Sequence, residues 1–239
     1  MLPIESVYSQ LVLSLSSHPR VLLQAPPGAG KSTWLPLQLM LSSQFNKIVM
    51  LEPRRLAARN IANFLASQLG EAVGEQIGLR IKQEAKVSSK TKLEIVTEGV
   101  LTRMIQQDPE LEGVDLLIFD EFHERSLQAD TALALSLESQ TGLRDDLKIL
   151  VMSATLDSER YQSFLECPLI SSEGRSFPID EVYVPFRNEA DWLAVMPALV
   201  KRAVEEQEGS ILVFLPGIER RWVLRMFEIA LLRVSVQQR

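Results

Sequence analysis

Two stretches of this chain have residue types and spacing suited to phosphate chemistry: Ala25-Pro-Pro-Gly-Ala-Gly-Lys-Ser32 and, further on, Asp120-Glu-Phe-His123. In the first, Gly28 and Gly30 let backbone N–H groups turn inward on an anion, and Lys31 adds a point charge for the β and γ phosphates. Ser32 offers a hydroxyl to Mg²⁺, and a helix opening at that point aims the positive end of its dipole at the same place. Pro27, Gly28, Ala29, Gly30, Lys31, Ser32 and Thr33 are thus the expected nucleotide contacts. In the second stretch, Asp120 and Glu121 emerge at the end of the apolar run Val114–Phe119. One carboxylate can hold Mg²⁺ through its waters while the other orients or deprotonates an attacking water. Ser32, Asp120 and Glu121 form the candidate metal set. The pair of stretches points to hydrolysis of a nucleoside triphosphate.

Such chemistry needs elements that hold the two stretches together. Residue 25 is Ala where the strict phosphate-loop pattern has Gly, but its context fits: Arg20–Gln24 reads as a strand and Thr33–Ser42 as a helix. A helix over Glu5–Ser16 precedes them. Lys47–Leu51 reads as a buried strand, and Arg55–Leu69 as a helix stopped by Gly70. Strand-like alternation covers Gln76–Lys82 and Lys92–Val96, followed by a helix over Val100–Gln107. After the Val114–Phe119 strand come a helix over Leu127–Ser139, the strand Lys148–Met152 and a short helix over Ser158–Leu165. Strands alternating with helices predict an α/β fold with a parallel sheet covered on both faces. An irregular segment with Gly174, Pro178 and Pro185 reads as a boundary; beyond it lie a helix, Trp192–Glu206, and a strand, Ser210–Leu215.

Composition narrows the field. The chain has 239 residues, enough for one large α/β domain or one domain and part of another. A net charge of −6 gives no global attraction to nucleic acid, so any such binding must come from local basic clusters. Cys167 is the single cysteine, which excludes an internal disulfide and reads as a buried, inert thiol. No apolar run is long enough to span a bilayer, and the N-terminus has no basic region of a secretory signal. The expected setting is the cytoplasm, without a membrane or an obligate protein partner.

Further signals sit at strand ends. Ser153-Ala-Thr155 follows the Lys148–Met152 strand, and its hydroxyls could link hydrolysis to a moving element. Glu52-Pro-Arg-Arg55 places arginines at a helix N-terminus, where the dipole disfavours them unless an anion is present. Thr97-Glu-Gly-Val-Leu-Thr-Arg103 repeats the arrangement. Two such sites on the carboxyl edge of one sheet favour a shared track for a phosphate backbone. His123 stands at a strand-to-helix turn beside the carboxylates, whereas His18 reads as structural.

In this order and context the motifs Ala-Pro-Pro-Gly-Ala-Gly-Lys-Ser, Glu-Pro-Arg-Arg, Thr-Glu-Gly-Val-Leu-Thr-Arg, Asp-Glu-Phe-His-Glu-Arg and Ser-Ala-Thr resemble those of superfamily 2 helicases of the DEAH/DExH type. The Asp120–Asp130 segment is most similar to the bacterial HrpB branch, whose box reads Asp-Glu-Phe-His. The resemblance covers roughly residues 1–218. It implies a RecA-like P-loop domain over 1–175, a linker and the first strand of a second RecA-like domain over 176–218, and a divergent tail over 219–239. It further implies ATP and Mg²⁺ as cofactors and single-stranded RNA or DNA, more often RNA, as partner. Lys31 and Ser32 become the phosphate and Mg²⁺ contacts, Asp120 the Mg²⁺ partner and Glu121 the catalytic base. His123, Ser153 and Thr155 would couple hydrolysis to movement; Arg54, Arg55, Thr97 and Arg103 would contact the nucleic-acid backbone.

The chain departs from the family pattern twice. An arginine that stacks on adenine in DEAH-type proteins is replaced by Phe64, whose ring can still stack on a base. After Ile218 the resemblance stops, and the arginine-finger motifs do not follow; a fragment or a frameshifted reading frame is the expected reason. The sequence thus predicts nucleotide binding with weak hydrolysis and little unwinding by these 239 residues. The alternatives are a nucleotide-dependent nucleic-acid-binding module without motor activity and a phosphate-loop kinase, which would not need two basic strand ends and Ser-Ala-Thr.

Overall fold

The computed structural model describes residues 2–154, 158–173, 180–183, 192–206 and 209–214. Contacts divide the chain into two units, residues 1–176 and 177–239. The first unit contains eight strands: β1 Arg20–Gln24, β2 Ile48–Leu51, β3 Ile77–Ile81, β4 Glu84–Lys86, β5 Leu93–Val96, β6 Leu116–Phe119, β7 Lys148–Ser153 and β8 Leu169–Ser171. They form one sheet in the order β4-β3-β5-β2-β6-β7-β1-β8. All pairings are parallel except β3 with β4.

The central strands are apolar on both sides because helices cover both faces. α1 Tyr8–Ser17, α2 Trp34–Leu41 and α3 Arg55–Gln68 pack Leu11, Leu15, Leu35, Leu39, Ala62 and Leu65 against Val21, Leu23, Ile48, Met50, Ile118 and Met152. α4 Glu98–Gln107, α5 Leu127–Gly142 and α6 Ser158–Leu165 close the other face, where Leu101, Ile105, Leu133 and Leu165 meet Leu22, Val49, Leu51, Phe119 and Val151. Successive strand residues thus serve opposite cores, each fully buried Leu or Ile contributing about 1.5–3 kcal/mol.

Two short edge strands escape the sequence reading. β4 is a charged three-residue segment turned back on β3 through Gln83, whose φ is 69°; β8 is a three-residue strand beside β1. Neither is long enough to show periodicity, and the charges on β4 blunt a sheet edge. Glu94, in the middle of β5, is fully buried, and Arg80 at 2.6 Å and Lys47 at 3.4 Å compensate its charge.

Three boundaries differ from expectation in ways that matter. The first helix is preceded by a 3-10 turn, Pro3–Val7, rather than starting at Glu5. α2 opens at Trp34, not at Ser32 or Thr33. Pro36 explains this shift: in a regular helix its ring would collide with the Ser32 carbonyl and it has no N–H to donate there. Leu35 N–H bonds instead to Gly30 O at 3.1 Å, leaving Lys31 and Ser32 in a wide turn ahead of the helix. α4 begins at Glu98, two residues before the expected Val100, with Thr97 as its N-cap.

In the second unit, α7 Trp192–Glu206 continues through Pro197 and carries the i,i+4 pairs Lys201–Glu205 and Arg202–Glu206. The expected strand Ser210–Leu215 is not formed over its described part, residues 210–214. Ile211, Leu212 and Phe214 are exposed, and a strand exists only where a neighbour takes up its N–H and C=O groups. The passage Gly174–Pro178, Thr155 and the tail after Ile218 lie outside the described residues.

Candidate nucleotide and nucleic-acid site

The parallel ladders continue one residue past the strand ends and align the candidate residues along one edge of the sheet. Ala25 N–H bonds to Ser153 O at 3.0 Å, Asp120 N–H to Leu51 O at 3.0 Å, and Glu52 N–H to Val96 O at 2.9 Å. The carboxyl edge of β1, β7, β6, β2 and β5 therefore carries the phosphate-loop start, Ser153, Asp120, Glu52 and Thr97 in spatial order.

The loop after β1 has the shape its sequence dictates. Gly28 and Gly30 sit at φ 76° and 98°, a region that residues with a Cβ enter only under strain. The Lys31 side chain is buried and donates to Ala25 O at 2.6 Å and Pro26 O at 3.0 Å, so the amine is held by the loop it serves. Burial pushes its pKa down, opposed by the charges of Glu121 and Asp120, which places all three groups in one electrostatic site. Pro27, Ala29 and Thr33 supply the rest of the turn; Ala29 O accepts from Ile4 N–H at 3.2 Å, fastening the loop to the N-terminal turn.

Asp120 is 1% exposed, and burial raises its carboxyl to about 6 against the opposing effect of the neighbouring Ser32 hydroxyl. Its Oδ1 accepts the Glu121 N–H at 2.8 Å, whereas Oδ2 is buried without a partner. A buried carboxylate oxygen left unsatisfied is costly unless a ligand completes it. Together with the Ser32 hydroxyl, it is the donor pair a hard divalent cation takes: hard oxygens, one of them charged. Glu121 adopts a left-handed conformation, φ 49° and ψ 35°, which lifts its side chain out of the strand direction and into the 3-10 turn Phe122–Glu124. His123 Nε2 lies 3.4 Å from Glu121 Oε2, and its Nδ1 accepts the N–H of Ala154 at 3.4 Å. Ser153 is fully buried beside this contact.

Beyond Asp120 the edge becomes basic. Arg55, Thr97 and Arg103 line one cleft of about 330 Å³ together with Pro53, Lys82, Glu98, Gly99, Val100 and Gln128. Thr97 makes no side-chain cap bond, so its hydroxyl is not committed to the helix; Glu98 is anchored from Ser126 Oγ at 2.5 Å. Arg54 stands apart from this cleft, its guanidinium 2.5 Å from Glu124 Oε1. Phe64 is 48% exposed on α3, with its ring open to stacking.

Several residues at the site were missed by motif reading. Glu52 is buried at the end of β2, accepts the Arg54 N–H at 3.2 Å, and is pushed up to about 8 by burial and by Asp120. Its place directly after an apolar strand was the available signal; the β2–β6 register that sets it beside Asp120 was not. Lys82 and Gln128 reach the cleft from the β3–β4 turn and the first turn of α5; only the tertiary fold brings them there. Cys167 is buried, and its thiol is raised to about 11, as its apolar setting implied. No helix among the described residues is long and apolar enough to cross a membrane.

This arrangement has known counterparts. The ATP-dependent RNA helicase HrpB of Escherichia coli K12 is 54% identical over 219 residues, covering 91% of this chain and 27% of that protein. The ATP-dependent RNA helicase HrpA of the same organism is 36% identical over 224 residues, covering 90% of this chain and 17% of that protein. The crystal structure of the E. coli DEAH/RHA helicase HrpB superposes with a TM-score of 0.88 at 51% identity, covering 98% of this chain and 30% of that one. The chain thus spans less than a third of the length of these relatives. Residues 6–164 match the DEAD/DEAH box helicase model, and their mostly parallel sheet is the RecA-like fold of that domain. The chain belongs to the DEAD/DEAH box helicase family.

Proposed function

We propose that this chain binds ATP with Mg²⁺ at the phosphate loop, hydrolyses it slowly, and holds single-stranded nucleic acid, RNA by preference, along the neighbouring basic edge. It would be the first RecA-like half of a cytoplasmic ATP-dependent helicase, with residues 1–175 as the ATP-binding domain, 176–218 as linker and a segment, unpaired over residues 210–214, that would supply the first strand of a second domain, and 219–239 as a divergent tail. The observation that carries this reading is the meeting of Lys31, Ser32 and Asp120 at one point, with Asp120 Oδ2 buried and unpartnered.

Each residue has a task that follows from its position. Lys31 exchanges the Ala25 and Pro26 carbonyls for phosphate oxygens, while the N–H groups of Gly28 and Gly30–Thr33 are left to face the phosphates and that of Ala29 closes the loop on Pro26 O. Ser32 and Asp120 would hold Mg²⁺, which when bound offsets the charge that develops on the phosphate oxygens. Glu121, raised out of the strand line, accepts the proton of the attacking water. Phe64 offers a ring face to the base. Arg54, Arg55, Thr97 and Arg103 bind backbone phosphates, which position a strand without reading its sequence. His123, Ser153 and Thr155 join hydrolysis to strand movement, a role supported by the His123 contacts to Glu121 and Ala154.

ATP turnover by the 239-residue chain, measured with and without oligouridylate or the matching DNA, tests the whole reading. Stimulation by a single strand, stronger with RNA, is the expected result. Nucleotide binding without turnover would favour the non-motor binding module, and absence of Mg·ATP binding would overturn both.

A further inference from the structure

Glu124 is not among the residues assigned to hydrolysis or to the strand, yet it occupies Arg54. The Glu124 carboxylate lies 2.5 Å from the Arg54 guanidinium, and the arginine side chain is otherwise 70% exposed. The Arg54 backbone is fixed from below, its N–H bonded to the buried Glu52 and its carbonyl capping the start of α3 through Ala58 N–H at 2.8 Å. Only the guanidinium is free to change partners. Its present partner is an anionic oxygen like those of a phosphate, the other group that a guanidinium binds best.

Resting on the reading of Arg54 as a backbone contact, we propose that Glu124 is an intramolecular stand-in for a nucleic-acid phosphate, competing with the strand for Arg54. A strand must displace Glu124 before Arg54 can grip it. Glu124 N–H bonds to Glu121 O at 2.9 Å within one 3-10 turn, and that turn is bounded by the left-handed residues Glu121 and Arg125. The displaced side chain therefore belongs to the same turn that carries Glu121 and His123, and occupation of Arg54 is registered within one turn of the hydrolysis site.

The competition is measurable by fluorescence anisotropy with a labelled oligouridylate and the full chain. Replacing Glu124 by Gln removes an exposed ion pair and should tighten binding about two- to fivefold. Arg54→Ala should weaken binding, and Glu124→Gln added to Arg54→Ala should produce no further change, because the competitor then has nothing to occupy. Glu112→Gln, another surface acid, controls for general charge and should leave affinity as it was. Unchanged affinity in Glu124→Gln, with Arg54→Ala weakened, overturns the competition alone. An equal gain in the presence and absence of Arg54 overturns it too, by assigning the gain to long-range repulsion. If Arg54→Ala binds like the parent chain, the assignment of Arg54 as a backbone contact fails, and the competition fails with it.

Discussion

His123 bridges two parts of the site: its Nε2 is 3.4 Å from Glu121 Oε2, while its Nδ1 is 3.4 Å from the nitrogen of Ala154. A backbone N–H can only donate, so Nδ1 is the acceptor and the ring proton sits on Nε2, facing the Glu121 carboxylate. The imidazole thus links the Glu121 carboxylate to the Ser153-Ala154 end of β7, and β7 lies between the strands carrying the phosphate loop and the carboxylates.

This contact separates chemistry from coupling in two variants. Glu121→Gln keeps the shape and removes the proton acceptor, so hydrolysis should fall about 100-fold or more while Mg·ATP affinity stays near the parent value. His123→Ala should instead spare much of the basal rate and blunt its response to single-stranded RNA. Parallel steady-state assays with and without oligouridylate check both. Equal turnover in Glu121→Gln would remove it from the role of base.

Buried carboxyls give the free protein a distinctive pH response. Glu52 is raised to about 8 from an ordinary 4.5, and Asp120 to about 6 from 3.8. Both hold their protons more tightly folded than unfolded, so the stability they contribute is complete below their unfolded values. It is lost as pH rises through the folded ones. Urea melts without nucleotide should therefore show a falling free energy of unfolding between the lower and upper of these values. Glu52→Gln retains an acceptor for Arg54 N–H and should flatten that fall, gaining about 1–3 kcal/mol at alkaline pH. Asp120→Asn should likewise stabilise the free protein, but lose the extra stability that Mg·ATP gives the parent chain.

The phosphate loop, the Asp-Glu pair and the basic strand ends were legible because each is a local string whose residue types dictate its chemistry. The buried strands were legible for a similar reason: four to six apolar residues bounded by polar turns have one reading in an alternating α/β pattern. Other features depend on geometry that a linear pattern does not carry. Ser32 lies ahead of α2 because Pro36 blocks the Ser32 carbonyl as a helical acceptor, an i,i+4 conflict hidden by the usual motif. Glu52 reads as a polar turn residue until the β2–β6 register sets it beside Asp120. Lys82 and Gln128 enter the Thr97 cleft only through tertiary packing. The expected strand at Ser210 is not formed over its described residues 210–214: apolar residues in a row supply propensity, but a strand forms only by pairing.

Glu94 shows how the sheet tolerates charge. It is fully buried in β5, with Arg80 and Lys47 as its compensating cations. Both cations are more than a quarter exposed and can turn to water if the carboxylate is removed, so they would not be stranded as a fully buried ion would be. Glu94→Ala should cost about 1–3 kcal/mol from the lost hydrogen bond and the space left in the strand. Denaturant unfolding checks this, with Arg80→Ala expected to cost more, because it leaves the wholly buried partner short of a donor.

The two loop glycines should separate strain from collision. Gly28 and Gly30 share the left-handed region, at φ 76° and 98°. A Cβ on Gly28 would meet nothing within 4 Å, so Gly28→Ala carries backbone strain alone, about 1 kcal/mol. A Cβ on Gly30 would lie 2.9 Å from Leu2 Cδ1 and 3.1 Å from Ile4 Cγ2, side chains of the N-terminal turn that fastens the loop through Ile4 N–H. Leu2 is partly exposed and can move, but Ile4 is fully buried and cannot. Gly30→Ala should therefore destabilise the chain by about 1–2 kcal/mol more than Gly28→Ala. Both substitutions should weaken Mg·ATP binding, because each tilts N–H groups away from the phosphates. Thermal unfolding with and without nucleotide distinguishes the cases: equal loss of stability in both variants would mean that the N-terminal turn yields to the added methyl group and does not brace the loop.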